Sequence, residues 1–136
     1  MKIAFDIGGV LSKFPVEFQI MIRALSLSSE IECYVMTDMH DKPKVVAMLA
    51  ENGFGMIPEE RIYTSDYNTH GEMCKAILCQ ELGIDVLIDD FIGYVAPEGA
   101  PMRLLMMPDA YKPYWHDNWK VSEGDGDFGR RKAVRK

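Results

Sequence analysis

Short apolar runs alternate with helical segments along this chain of 136 residues, and this alternation is the strongest constraint on its fold. The runs predict five strands, over Met1–Ile7, Ile31–Thr37, Arg61–Ser65, Asp85–Asp90 and Arg103–Met107. Helical periodicity marks residues 18–27 and 42–50, and a capping box at Thr69 and Glu72 predicts a third helix that ends at Leu82. Strands separated by helices of about ten residues are typical of a parallel sheet covered on both faces. We therefore expect an α/β, three-layer Rossmann-like fold with about five parallel strands.

The chain divides by composition into an α/β core and a C-terminal extension of the same domain. Residues 1–108 carry the strand and helix signals, whereas residues 109–136 are aromatic and polar, contain three glycines and are expected to be irregular. The extension contains the run Tyr111–Trp119 and ends in a basic tail, Arg130–Lys136, with a formal charge of +5 against −11 for residues 1–129. The aromatic run can pack on the body or stack on bases. The tail can likewise fold back on an acidic surface or bind a phosphate-rich polymer.

The cysteines and the hydropathy of the chain indicate the cellular compartment in which the protein is expected. The three cysteines fall inside predicted strands and helices without CxxC spacing, which favours buried free thiols over disulfides or a zinc site. No apolar run reaches the roughly 20 residues of a membrane span, and the N-terminus lacks a basic region followed by an apolar one. We expect a soluble cytoplasmic protein without membrane contact.

Acidic and hydroxyl side chains collect at the predicted strand ends. Asp6 ends the first strand and is followed by Gly8 and Gly9, Thr37 ends the second, and Asp89 and Asp90 end the fourth. In parallel sheets, ligands bind beyond the carboxyl ends of the strands. The sequence therefore predicts a site at this edge of the sheet.

The residue types in this site favour phosphoryl chemistry. Three carboxylates repel one another, and a hard divalent cation, most naturally Mg²⁺, relieves the repulsion. The hydroxyl of Thr37 suits a phosphate oxygen, and Lys75 suits phosphate neutralisation or orientation of Asp6. Each residue also has a structural interpretation: the aspartates as turn formers, Thr37 as a strand residue and Lys75 as a solvated helix residue.

Four ordered motifs resemble those of the haloacid dehalogenase-like (HAD-like) hydrolase superfamily. They are Phe5–Leu11, Val35–Thr37, Lys75 and Leu87–Asp90. The resemblance implies that Asp6 is a nucleophile that forms an aspartyl phosphate. It implies that Asp6, the Gly8 carbonyl and Asp90 bind Mg²⁺, and that Asp89 holds a metal-bound water. It also assigns phosphate binding to Thr37 and Lys75, together with Asp38 and Gly9.

Two features depart from the pattern of phosphatases in this superfamily. Those enzymes carry a second Asp two residues after the nucleophile as general acid and base, and Gly8 occupies that position here. His40, His70 and His116 are candidate proton donors in its place. Only about 24 residues separate Ser12 from Thr37, so we expect no large cap domain.

The resulting expectation is a Mg²⁺-dependent phosphohydrolase or phosphotransferase that acts through Asp6. A phosphorylated substrate such as a nucleotide or a nucleic-acid end fits the basic tail, the aromatic run and the missing cap. The first alternative is a binding or regulatory domain that lost the acid at Gly8. The second is an enzyme of another reaction class on the same fold. The sequence leaves the oligomeric state open.

Overall fold

A computed structural model describes residues 1–90 and 103–106, and its centre is a parallel β-sheet. The strands are β1 (Lys2–Phe5), β2 (Glu32–Thr37), β3 (Ile62–Thr64), β4 (Val86–Asp89) and β5 (Arg103–Met106), of which β5 is described as backbone only. They lie in the order β3-β2-β1-β4-β5, and every pair is parallel. The predicted α/β class with a parallel sheet is confirmed.

The register aligns the carboxyl ends of the central strands. Phe5 pairs with Val35 on one side and with Ile88 on the other. Asp6 directly follows Phe5 and Asp89 directly follows Ile88, so the two aspartates lie at the same level of the sheet. On the next strand, Thr37 pairs with Thr64. The sheet therefore places the strand-end side chains along one edge.

Within the described residues, four α-helices lie between the strands: α1 (Pro15–Leu25), α2 (Lys42–Glu51), the single turn α3 (Tyr67–His70) and α4 (Cys74–Leu82). Local chemistry sets several of their ends. Pro15 occupies the first turn of α1, where no backbone donor is needed, and the Asp41 side chain accepts the Lys44 N–H to cap α2. Gly83 ends α4 in the left-handed conformation that glycine adopts without strain.

In the part of the chain that the structure describes, the hydrophobic core consists of two clusters. They lie on opposite faces of the sheet, because successive side chains of a strand point to opposite faces. One cluster joins Phe5 and Val35 to residues of α1 and α2 such as Ile22 and Leu49. The other joins Ala4, Tyr34, Met36 and Leu87 to Ala76 and Cys79 of α4. Cys33, Cys74 and Cys79 are free and buried, so the prediction of buried thiols is confirmed.

The predicted start of the third long helix is wrong. Thr69 and Glu72 do not form a capping box; instead, the Asp66 side chain accepts the Thr69 N–H and caps the short α3. The chain then changes direction at Gly71, whose φ is 59°, and α4 begins only at Cys74. The competing cap at Asp66 explains the error, because Asp is as good an N-cap as Thr.

The predictions for residues 107–136 lie outside the described residues, including the aromatic run, His116 and the basic tail. Within the described ranges, each helix falls short of the length and apolar character that a membrane crossing requires.

Candidate active site

Asp6 lies at the point where the chain leaves β1 and turns sharply. Its N–H donates to the Ile88 carbonyl at 2.9 Å, which continues the pairing of β1 with β4 for one more residue. Its carbonyl accepts the Leu11 N–H at 3.3 Å, which closes the turn. The residue is 7% exposed, so its carboxylate is almost removed from water.

The two glycines in this turn have different backbone conformations. Gly8 is extended, with φ −64° and ψ 128°, which any residue can adopt, whereas Gly9 has a φ of 72°. A methyl group on Gly9 would overlap the carboxylate of Asp90. Gly9 is therefore required by both its conformation and its neighbour, and Gly8 is not required by its backbone.

Lys75 binds two of the strand-end aspartates at once. Its ammonium nitrogen lies 2.7 Å from Asp6 Oδ1 and 2.7 Å from Asp89 Oδ2, and the residue is 1% exposed. It is the second residue of α4, which carries it to the edge where β1 and β4 end. The interpretation of Lys75 as a solvated helix residue is therefore wrong.

Asp90 completes a cluster of three carboxylates with Asp6 and Asp89. One oxygen from each lies within 4.8 Å of the others. Asp89 is fully buried, and its second oxygen accepts the Asp90 N–H at 2.8 Å. Asp90 itself is half-buried, so the cluster is open to solvent on its side.

Burial and repulsion dominate the electrostatics of this cluster. Burial raises the pKa of Asp6 well above its ordinary value; Lys75 opposes the rise, and the charges of Asp89 and Asp90 add to it. For Lys75, burial disfavours the charged ammonium, but the two ion pairs outweigh it and raise the pKa. Lys75 therefore remains a cation, and its charge offsets those of Asp6 and Asp89.

The carboxylate cluster fits Mg²⁺ in its chemistry. Mg²⁺ prefers hard oxygen ligands, and Asp6, Asp89 and Asp90 bring three carboxylate groups together. Burial is the main cause of the raised pKa of Asp6, and the charges of Asp89 and Asp90 add a repulsion that a cation would relieve. Lys75 and the Asp90 N–H engage the two oxygens of Asp89, and Lys75 also engages Oδ1 of Asp6.

Thr37 occupies the end of β2, next to β1, and is 2% exposed. Its Oγ1 accepts the Met39 N–H at 3.3 Å, so the hydroxyl proton is the part available for donation to a ligand. Asp38 follows it in an exposed position. His40 and His70 are exposed near Asp66, whose pKa is lowered chiefly by hydrogen bonds with Thr69 and further by these two histidines.

Sequence reasoning missed Ser65, a buried hydroxyl at the end of β3. Its N–H and its hydroxyl both donate to the Thr37 carbonyl, at 2.7 and 3.2 Å. The rule that revealed Asp6 and Thr37 also applies here, because Ser65 is the polar residue at a parallel strand end. The residue type alone does not distinguish Ser65 from a turn residue, because a serine after a strand is common in ordinary turns.

Comparison of the chain with protein-family models, with curated proteins and with solved structures finds no match.

Proposed function

We propose that this protein is a Mg²⁺-dependent phosphohydrolase or phosphotransferase of the HAD-like type, with Asp6 as the nucleophile. The observation that carries the proposal is the buried bridge of Lys75 to Asp6 and Asp89 with the Asp90 carboxylate beside it. A structural ion pair does not require a third, solvent-facing carboxylate in the same cluster. We further propose that the sheet order reflects the five-stranded, three-layer Rossmann-like fold of that superfamily.

In the proposed reaction, Asp6 forms a covalent bond with the substrate phosphorus. Lys75 engages Oδ1, which leaves Oδ2 for the attack. The bond between phosphorus and the leaving oxygen breaks, and its electron pair stays on that oxygen. Water, or another acceptor hydroxyl, then attacks the phosphorus and gives up its proton to solvent. The bond between phosphorus and the Asp6 oxygen breaks, and its electron pair restores the Asp6 carboxylate.

The surrounding residues stabilise the transferring group. Lys75 offsets negative charge on the phosphoryl oxygens, and the Thr37 hydroxyl donates a hydrogen bond to one of them. Asp6 and Asp90, with the Gly8 carbonyl, would hold Mg²⁺, with Asp89 in the outer shell. When bound, the metal supplies Lewis-acid stabilisation of the developing charge.

Gly8 limits the class of substrate. It places no acid beside the leaving group, and losing a general acid costs about 10²–10⁴ in rate. Phosphoesters with good leaving groups, or anhydrides such as nucleotides, need less protonation than alkyl phosphates. We therefore propose activated phosphates as substrates, with the phosphoanhydride bonds of nucleotides as their natural class. Phosphorylated nucleic-acid ends are alkyl esters, so their hydrolysis would need a proton donor from elsewhere.

The first test is hydrolysis of p-nitrophenyl phosphate with Mg²⁺, because this leaving group needs no acid. We expect release of p-nitrophenol by the wild type and a loss of at least about 10³-fold in Asp6→Asn, which removes the nucleophile. Glu81→Gln is the matched control, since it removes one carboxylate from an exposed position on α4. Equal rates in wild type and Asp6→Asn would contradict the proposal.

The second candidate function, a binding or regulatory domain, is favoured by Gly8 alone. Gly8→Asp separates the two, because the extended backbone at Gly8 accepts a side chain without strain. We expect Gly8→Asp to gain activity on an alkyl phosphate such as glycerol phosphate. A protein that binds Mg²⁺ and phosphate but hydrolyses neither ester, with or without Gly8→Asp, would favour the binding domain.

A further inference from the structure

Ser65 connects the strand that carries Thr37 to the helix that carries Lys75. It lies directly after β3 and is 3% exposed. Its N–H and hydroxyl place two donors on the Thr37 carbonyl, at 2.7 and 3.2 Å. Two donors on one buried acceptor restrict the Thr37 backbone, and therefore the position from which its own hydroxyl projects.

The same serine oxygen also contacts α4. The Cys74 thiol donates to Ser65 Oγ at 3.5 Å, and Cys74 is the first residue of α4 and the neighbour of Lys75. Both groups are buried. The Ser65 hydroxyl thus donates a hydrogen bond to the Thr37 carbonyl and accepts one from the Cys74 thiol. A hydroxyl can do both at once, so Ser65 joins β2 to α4.

The start of α4 follows a short 3₁₀ turn, Gly71–Met73. The helix has no side-chain N-cap, and the segment before it changes direction at Gly71, where φ is 59°. Here the link from Cys74 to Ser65 ties that end to β3.

We propose that Ser65 is a positioning residue, which holds Thr37 and the Lys75 end of α4 in the arrangement that binds the phosphoryl group. This inference rests on the proposed function. Ser65 acts through its two neighbours and does not itself contact the reacting atoms. It adds β3 to the strands whose ends define the site.

The test measures kcat and KM for p-nitrophenyl phosphate with Mg²⁺, and the affinity for tungstate, an anion that mimics phosphate, by calorimetry. Loss of one buried hydrogen bond corresponds to about a tenfold effect. We expect Ser65→Ala to weaken tungstate binding and lower kcat/KM by about that factor. Ser65→Thr keeps the hydroxyl and should recover most of the loss. Thr64→Val, which removes a hydroxyl from the neighbouring residue, should behave as the wild type.

A double-mutant cycle with Thr37→Val decides whether Ser65 acts through Thr37. If it does, Ser65→Ala should have a much smaller effect on tungstate affinity in the Thr37→Val background. Equal effects in both backgrounds would overturn the proposal, as would Ser65→Ala with wild-type constants. If Ser65→Ala fails to fold, Ser65→Cys, a near-isosteric variant with a weaker donor, takes its place in both experiments.

The outcome also separates this inference from the proposed function. A wild-type protein that neither hydrolyses the ester nor binds tungstate would overturn both. An active wild type with an inactive Asp6→Asn variant and an unaffected Ser65→Ala variant would overturn the positioning role alone.

Discussion

Lys75 and Asp89 form a fully buried ion pair with 2.7 Å between Nζ and Oδ2, although 14 residues separate them in the chain. The pair fixes the ammonium so that it also reaches Asp6, at the end of the neighbouring strand. This contact joins α4, β4 and β1 at the candidate site. Its removal should therefore affect both the stability of the fold and the chemistry of Asp6.

Lys75→Met should destabilise the protein by about 3–5 kcal/mol, because it leaves two buried carboxylates without their cation. Urea denaturation monitored by circular dichroism measures the free energy of unfolding. Lys44→Met, at an exposed position on α2, is the control and should change it by less than about 0.5 kcal/mol. A similar small change in Lys75→Met would contradict the role given to the ion pairs.

Mg²⁺ should stabilise the wild type through the carboxylate cluster. At 100 times its Kd, a ligand that binds only the folded state adds about 2.7 kcal/mol, visible as a higher Tm. Asp90→Asn removes a candidate ligand and should lose most of this shift.

Glu81→Gln, with one exposed carboxylate fewer, should retain the full Mg²⁺ shift, and NaCl at equal ionic strength controls for screening. An equal shift in Asp90→Asn would show that the cation binds elsewhere.

The two glycines after Asp6 should respond differently to alanine. Gly9→Ala should lower stability and abolish the Mg²⁺ shift, because Gly9 has a φ of 72° and its new methyl group would displace the Asp90 carboxylate. Gly8→Ala should be tolerated or stabilise by about 0.4–1 kcal/mol, since its backbone is extended. Thermal unfolding with and without Mg²⁺ compares the pair, and equal losses would argue against the contact between Gly9 and Asp90.

Stability should fall at alkaline pH because of the buried thiols. Burial raises the pKa of Cys79 to about 12, although the charge of Lys75 lowers it in part. Burial also raises the pKa of Cys33. Below about pH 8.5 both states keep their thiol protons, so the contribution is complete. Above it the unfolded chain loses protons first, and stability declines by up to about 1.4 kcal/mol per pH unit for each thiol.

Urea denaturation between pH 8 and 10 tests this decline. The range stops below the ordinary pKa of lysine, about 10.4, because above that value the raised pKa of Lys75 also makes stability depend on pH. Cys79→Ala should have a shallower slope than the wild type. An unchanged slope would show that Cys79 does not contribute.

Two isoleucines of α1 form a matched pair of a buried and an exposed position. Ile22 is fully buried, and Ile22→Ala should cost about 2–5 kcal/mol through lost contacts and a cavity. Ile20 is 62% exposed, and Ile20→Ala should change stability by less than about 0.5 kcal/mol. Denaturation midpoints at constant m-value measure both, and comparable costs would mean that Ile20 is covered in solution.

The parallel sheet could be predicted from the sequence because strand and helix signals are local. Apolar runs with polar ends depend on neighbouring residues, and their alternation with helices leaves few arrangements other than a parallel sheet. The grouping of Asp6, Asp89 and Asp90 followed from the same reasoning, since the carboxyl ends of parallel strands share one edge. The start of α4 was not predictable in this way, because Asp66 and Thr69 are competing caps of similar strength.

The sequence by itself determined the strands, their parallel class and the edge at which the acidic side chains meet. Only the tertiary structure decided that Lys75 is buried between Asp6 and Asp89, that Asp90 occupies the space beside Gly9, and that Ser65 joins Thr37 to Cys74. Helix periodicity is equally compatible with a Lys75 side chain in solvent. In the same way, the position of Ser65 at a strand end is equally compatible with an ordinary turn. Their roles depend on partners up to 69 residues away, and distances across the chain exist only once the sheet has formed.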